Sequence, residues 1–261
     1  MKVLSFGGGM QTVTLAAMCC LGDFEMPDLA VFADTKWETE ATYDYITWFT
    51  IWAYNKNKKF KLVTKSKGDI RADALSTSKR IASMPLWTKN GLQKGALRRQ
   101  CTNEYKIQVI QRAIRDEARV EKGKRWKGDP AEVWIGISTN EAQRMSESRD
   151  KWVTHRWPLI EKRMSRHDCQ RYLEAHGIPL PPKSACIGCP FHDNTYWRRL
   201  KQESPKEWKN AVEFDGLVRK TRAAIKSPVF LHPSLVPLGE ANLGEDQVDL
   251  FMNDCKGFCG V

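Results

Sequence analysis

The sequence contains no apolar run approaching the roughly 20 residues that a bilayer-spanning helix needs. A membrane partner is therefore not expected. It has no internal repeat, which excludes a solenoid or propeller built from repeated units. The first residues enter a strand directly and carry no signal-peptide pattern, so the expectation is a cytoplasmic protein. Acidic residues are in deficit: 31 Asp+Glu stand against 42 Lys+Arg, a formal net charge of +11 over 261 residues. General solubility accounts for part of that excess. A polyanionic partner, either a highly phosphorylated nucleotide or a nucleic acid such as tRNA or DNA, accounts for the rest. Charge alone does not separate the two. With 41% hydrophobic and 28% charged residues, global disorder is excluded. The length suits one α/β domain with a smaller appendage.

What is present begins at once. Residues 2–6 form an apolar run, and Gly7, Gly8 and Gly9 follow before a helical pattern over about 10–21. A strand, a glycine turn and a helix N-terminus together make a phosphate cradle: the backbone approaches the anion, and the helix end favours negative charge. As a plain packing turn the same residues would need no ligand. The turn is not a P-loop, since no lysine follows the glycines. It is not a dinucleotide fingerprint either, since Thr12 stands where a third glycine belongs.

Residues 28–33 predict a second strand ending at Asp34 and Thr35, and residues 60–64 a third. An aromatic helix over about 39–55 lies between them. Its spacing is that of a core face rather than a stacking platform. This order predicts a parallel, doubly wound sheet with right-handed crossovers and ligands at the carboxyl ends of its strands. Residues 66–99 lose all pattern and are strongly basic, as a functional or mobile loop would be. Residues 98–106 lead into a helix expected to run to about Val120, with a fourth strand over 132–137 and a fifth over 157–160. Ser165 opens a capping box for a helix to about His176. Asn194 reads as the next N-cap, and Ser204-Pro205-Lys206-Glu207 starts a helix to about Ile225. The fold class expected is α/β, with a mainly parallel five-stranded sheet, a nucleotide-binding region over 1–164, and a helical, cysteine-bearing region over 165–261.

There are eight cysteines. Cys19, Cys20 and Cys169 sit among apolar neighbours on helices and read as core. Cys186-x-x-Cys189, between a proline run and Pro190, has the spacing of a bidentate metal hook. Cys101 follows the basic loop, and Cys255 and Cys259 lie near the end of the sequence. Four such thiolates suit zinc or a [4Fe–4S] cluster.

Several of these stretches resemble one family. Ser5-Phe6-Gly7-Gly8-Gly9-Met10-Gln11-Thr12 resembles a divergent PP-loop, the pyrophosphate turn of adenine nucleotide alpha hydrolase-like proteins. Ala33-Asp34-Thr35-x-x-Glu38 resembles their second-strand motif. Gly136-Ile137-Ser138-x-x-Glu141-x-x-Arg144 and Arg99-x-Cys101-x-x-x-x-Lys106 resemble segments of phosphoadenylyl-sulfate (PAPS) reductase-like proteins, with Cys186 and Cys189 as their downstream pair.

The resemblance covers about residues 2–200. It implies an oxidoreductase or sulfurtransferase that binds PAPS, APS or ATP beside a [4Fe–4S] cluster. Ser5, Phe6, the three glycines, Gln11, Thr12, Gly136 and Glu141 would form the nucleotide site. Asp34 and Thr35 would lie near ribose or adenine, and Arg99, Lys106 and Arg144 would neutralise sulfate or phosphate. Cys101, Cys186, Cys189 and Cys255 would ligate metal. Cys259 would be the nucleophile, its product resolved by a thiol reductant protein; the two tail cysteines could exchange these roles.

Two departures matter. Gln11 and Thr12 replace the usual PP-loop Asp and Ser, which favours binding over magnesium-assisted ATP cleavage. Thr102 stands where cluster-bearing reductases have a second, adjacent cysteine. The rival expectations are ATP- and cluster-dependent thiolation of a nucleic-acid base, and a non-catalytic nucleic-acid-binding protein with structural zinc.

Overall fold

The structure, a computed structural model, describes residues 1–76, 84–90, 93–221 and 227–244. Its centre is a five-stranded sheet, all parallel, formed by β1 (Lys2–Ser5), β2 (Leu29–Asp34), β3 (Leu62–Ser66), β6 (Ala131–Ile135) and β7 (Val153–Arg156) in the spatial order β3-β2-β1-β6-β7. The order reverses beside β1, so the carboxyl ends of β1 and β6 frame the crevice where such sheets take ligands. The expected α/β class and five-stranded parallel sheet are what the chain forms.

Burial on both faces explains why these strands read as continuous apolar runs. Val3, Val31 and Val133 pack to one side with Ile110 and Ile114 of α4 (Gln108–Glu117). Leu4, Phe32 and Trp134 pack to the other, against α1 (Met10–Leu21), α2 (Glu40–Lys56) and α6 (Arg166–Ala175). Phe49 of α2 is fully buried and stacks on Phe6 at 5.5 Å between ring centroids. Burying one such ring contributes about 1.5–3 kcal/mol. Cys19, Cys20 and Cys169 lie in this core. Burial pushes each of their thiols up to about 12, so they are un-ionised packing residues.

A second apolar cluster gathers α3 (Ile70–Leu75), α7 (Asn194–Glu203), α8 (Pro205–Thr221) and β8 (Val229–Phe230) around Trp37 and Phe214. Asp215, buried in α8, accepts from the backbone N–H groups of Leu231 and Leu238 and pairs with Arg219. These bonds hold the segment after β8 onto the helices.

Several expectations are corrected. The fifth strand is Val153–Arg156, and α5 (Pro158–Glu161) is a helical turn with proline at its first position. The true strand is an edge strand with one fully buried residue, Val153, so it shows little apolar pattern. Residues 66–99 are not irregular throughout. Asp69 caps α3 by accepting from Arg71 and Ala72 N–H. β4 (Trp87–Asn90) pairs antiparallel with β5 (Gln93–Ala96) and with β8. The N-cap of α7 is Asp193 rather than Asn194. The segment over 98–106 leads into the helix through a π-helical turn, Asn103–Ile107, and α4 ends at Glu117, short of Val120. The capping box at Ser165 forms as expected.

His232 offers a test of this second cluster. It is buried, with Nε2 donating to Asn194 Oδ1 at 2.9 Å and Nδ1 facing Ser234 Oγ at 2.6 Å. Burial, then Lys94, hold its pKa below the ordinary imidazole value, with Asp215 opposing. A base with a depressed folded pKa stabilises the fold above its unfolded pKa of about 6.5, and that contribution is lost as pH falls through the folded value. The melting temperature should therefore fall between about pH 7 and about pH 5. His232→Gln should flatten that part of the profile.

Candidate active site

The glycine turn folds as a cradle. Gly8 adopts a left-handed φ of 71°, with its α-carbon facing Ile46 of α2. Gly9 is the N-cap of α1 and supplies no side chain; the first helical bond runs from Val13 N–H to Gly9 O at 2.9 Å. The N–H groups of Met10, Gln11 and Thr12 therefore point out of the helix end, toward any anion placed there. Thr12 Oγ1 donates to Gly9 O at 3.1 Å and accepts from Gly7 N–H at 3.2 Å. Its hydroxyl shapes the turn from within.

β6 meets this turn closely. A Cβ on Gly136 would lie 2.6 Å from Thr12 Cγ2 and 3.1 Å from Thr12 N, so only glycine allows the two strand ends this approach. From the following 3₁₀ segment (Thr139–Arg144), Glu141 accepts from Gln11 Nε2 at 3.0 Å and pairs with Arg144. Gln11 thus fits this site as a donor. An aspartate there, as in the common PP-loop, would face Glu141 with like charge.

Above the turn lies the Pro-rich loop. Ser184 Oγ donates to the carbonyl of Gly7. Together these elements enclose one pocket at the sheet's carboxyl edge. Ser5, Phe6, Gly7, Gly9, Gln11, Thr12, Gly136, Glu141, Lys106 and Arg144 all line it. Phe32, Val133, Ile135 and Ile110 add an apolar wall, and His155, Arg166, Lys183 and Ser184 add polar groups that sequence reasoning did not select. The signals for three of these were local. Lys183 and Ser184 lie just before the cysteine hook, and Arg166 is the first helical residue, inside the capping box of Ser165 and Asp168. His155 carried none.

Asp34, Thr35 and Arg99 lie elsewhere. Asp34 is buried and takes up Lys36 N–H, Lys36 Nζ and the Tyr43 hydroxyl, at 2.7, 2.9 and 2.8 Å. It holds the turn after β2 and does not line the pocket. Thr35 donates to Glu38 Oε1 at 2.9 Å. Arg99 lies over the Phe191 ring and lines a neighbouring cleft.

The cysteine hook docks against this turn. Residue 186 bridges to Glu38, and Ile187 N–H donates to Trp37 O at 2.8 Å. A Cβ on Gly188 would lie 2.1 Å from Trp37 Cη2, so the indole plane fills the space beside the loop. Trp87 of β4 donates to Pro190 O, and His192 Nε2 to Cys186 O, closing the hook from two further sides. The Cys186 thiol donates to Thr35 Oγ1 at 3.2 Å and faces Glu38 Oε1 at 3.7 Å. Burial raises its pKa well above the ordinary range, Glu38 and Cys101 add to that, and Lys106 and Thr35 oppose it. Glu38 and Lys106 also line the pocket. The pocket and the hook therefore share a wall.

Cys101 acts on Cys186, and both Cys186 and Cys189 act on buried Tyr196, so the three thiols fall in one neighbourhood. Among the described residues no three His, Cys, Asp or Glu side chains form a ready metal-binding group. Cys255 and Cys259 lie outside the described residues. Cys101, Cys186 and Cys189 are soft sulfur donors, the ligand type that suits zinc or an iron–sulfur centre.

No family model matches the chain, and no curated protein matches it. Among solved structures the chain is similar in fold to the phosphoadenylyl-sulfate (PAPS) reductase of Candida auris, determined as a phosphate complex, at 14% identity over 69% of this chain and 73% of that one, with a TM-score of 0.40.

Proposed function

We propose that the chain is a PAPS reductase-like enzyme that binds an adenine nucleotide (PAPS, APS or ATP) at the glycine turn and performs sulfur reduction or transfer beside the cysteine hook. The observation that carries this reading is the shared wall: Glu38 lines the pocket with its Oε1 3.7 Å from the Cys186 sulfur, and Lys106 lines the same pocket. The sequence motifs support it independently.

In this reading the N–H groups of Met10, Gln11 and Thr12 hold phosphate, and the apolar wall of Phe32, Val133 and Ile135 receives the adenine. Lys106 and Arg144 neutralise sulfate or phosphate oxygens through charge-assisted hydrogen bonds. Glu141 positions Arg144 and Gln11 together. Cys101, Cys186 and Cys189, with Cys255, would hold the [4Fe–4S] cluster. When bound, the cluster supplies an iron–sulfur centre beside the oxyanions of the substrate.

The Cys259 thiolate attacks the sulfur of the adenylyl sulfate. An S–S bond forms, the S–O bond to the nucleotide breaks, and the nucleotide leaves with that electron pair. A thiol of a reductant protein then attacks Cys259; sulfite leaves with the electron pair of the S–S bond, and a disulfide remains. Both reducing electrons come from the two thiols.

Two measurements test this. Anaerobically purified protein should carry iron and acid-labile sulfide, and Cys186→Ser should lose both. Colourless protein with stoichiometric zinc would instead favour the structural-metal reading. Sulfite should be released from PAPS or APS in the presence of a dithiol. If iron is present but no sulfite appears with either nucleotide, the reductase assignment fails.

A further inference from the structure

The nucleotide pocket opens beside a second, larger cleft, and Ile107, Gln111, Arg144 and His155 line both. The cleft runs between the π-helical turn with α4 and the segment that follows the 3₁₀ turn after β6. Its chemistry differs from that of the pocket. Six cationic side chains line it against four acidic ones. Three of those acids are already engaged: Asp73 accepts from the Tyr105 hydroxyl, Glu104 pairs with Lys67, and Asp150 accepts from Gln111. Five of the six cations are arginines, and Arg98, Arg112 and Arg149 are exposed and make no ion pair with a described residue. Five side-chain amides and the hydroxyls of Thr102, Ser146 and Ser148 also line it, while Ile107 and Met145 are its only aliphatic side chains among the described residues.

That composition separates two kinds of partner. A protein-binding surface has an apolar or aromatic centre with charges at its rim, and here Tyr105, Ile107 and Met145 stand among a majority of charged and polar side chains. Arginines spaced between amides suit a nucleic acid: guanidinium groups hold phosphates, and Asn and Gln pair with base edges. A mononucleotide would leave most of the cleft unused.

We infer that the cleft binds a nucleic-acid strand, its phosphates on Arg98, Arg112 and Arg149, and presents one nucleotide at the mouth of the pocket. A base can reach that mouth only when it is out of a duplex stack, so the strand is single over this stretch. The inference goes beyond the nucleotide reading and stands without it.

The test uses the full chain without added nucleotide and labelled single strands of about 20 nucleotides, followed by anisotropy. Binding should weaken steeply between about 50 and about 200 mM salt. Arg112→Glu with Arg149→Glu should weaken it by at least about ten-fold. Lys58→Glu with Lys59→Glu makes the same change in net charge on exposed residues before β3, at the amino ends of the strands, and should change it less than about two-fold. Equal loss in both double variants would overturn the inference, as would absence of binding at low salt. Displacement by polyglutamate as readily as by unlabelled strand, or tighter binding of a duplex, would also overturn it. None of these outcomes bears on sulfite release, so the two readings fail separately.

Discussion

Gly188→Ala is expected to be the most damaging single-methyl substitution in the cysteine hook. The added carbon would sit 2.1 Å from Cη2 and 2.7 Å from Cζ3 of Trp37. The indole has little freedom to retreat. It is buried, its Nε1 donates to Asn210 Oδ1 at 2.8 Å, and its ring meets Phe214 edge-on at 4.6 Å. Overpacking at such a site costs about 1–3 kcal/mol, and here the loop must move as well. Thermal unfolding should shift down by several degrees, and any metal held at Cys186 and Cys189 should be lost in parallel. Trp37→Leu in the same chain should restore part of the stability by making room. A Gly188→Ala protein that melts like the wild type and keeps its metal would show that the indole and the hook are not packed as described.

On the proposed reading, in which the pocket takes an adenine nucleotide, Lys106→Met is expected to remove the largest single share of that binding. The ammonium lines the pocket and acts on Cys186 across its wall. A charge-assisted hydrogen bond of this kind contributes about 1.5–3 kcal/mol, or a loss of roughly 10- to 150-fold in affinity. Titration calorimetry with ATP and with APS reads this directly, and Lys106→Arg should recover part of it. Arg115, which caps the carbonyls of Glu121 and Lys124 outside the pocket, is the control. If Lys106→Met and Arg115→Met weaken binding equally, the phosphate does not lie where the pocket places it.

The legible parts of this chain share one physical property: each is determined locally or by burial on two sides. The strands at the centre of the sheet read as apolar runs because both faces are covered. The glycine turn reads as a turn because backbone freedom is encoded in residue type. The edge strand Val153–Arg156 did not read, because only one of its residues is buried, and β4 and β5 did not because each is four residues long and β5 is exposed throughout. Asp34 illustrates the converse. It stands at a strand's carboxyl end, where ligands bind, yet its carboxylate is consumed by Lys36 and Tyr43. Sequence position cannot tell an outward-facing carboxylate from one that has turned back on its own loop. The role of Ser184 was hidden for a different reason. Its neighbours in sequence point to the hook, but the fold carries it onto the glycine turn from 177 positions away.

The hydrogen bond from Ser184 to Gly7 has a consequence in terms of reach. Ser184 stands two residues before Cys186, and two fully extended residues span at most about 7 Å. The sulfur of the hook is therefore on a short tether to the cradle: however the loop breathes, it stays within side-chain distance of that anchor while the bond holds. A reacting atom attached directly to the phosphate group falls inside that radius. One at the far end of a nucleobase falls outside it unless the tether is released. Cutting it with Ser184→Ala changes no group that would touch the ligand's reacting atom, yet it lengthens the tether.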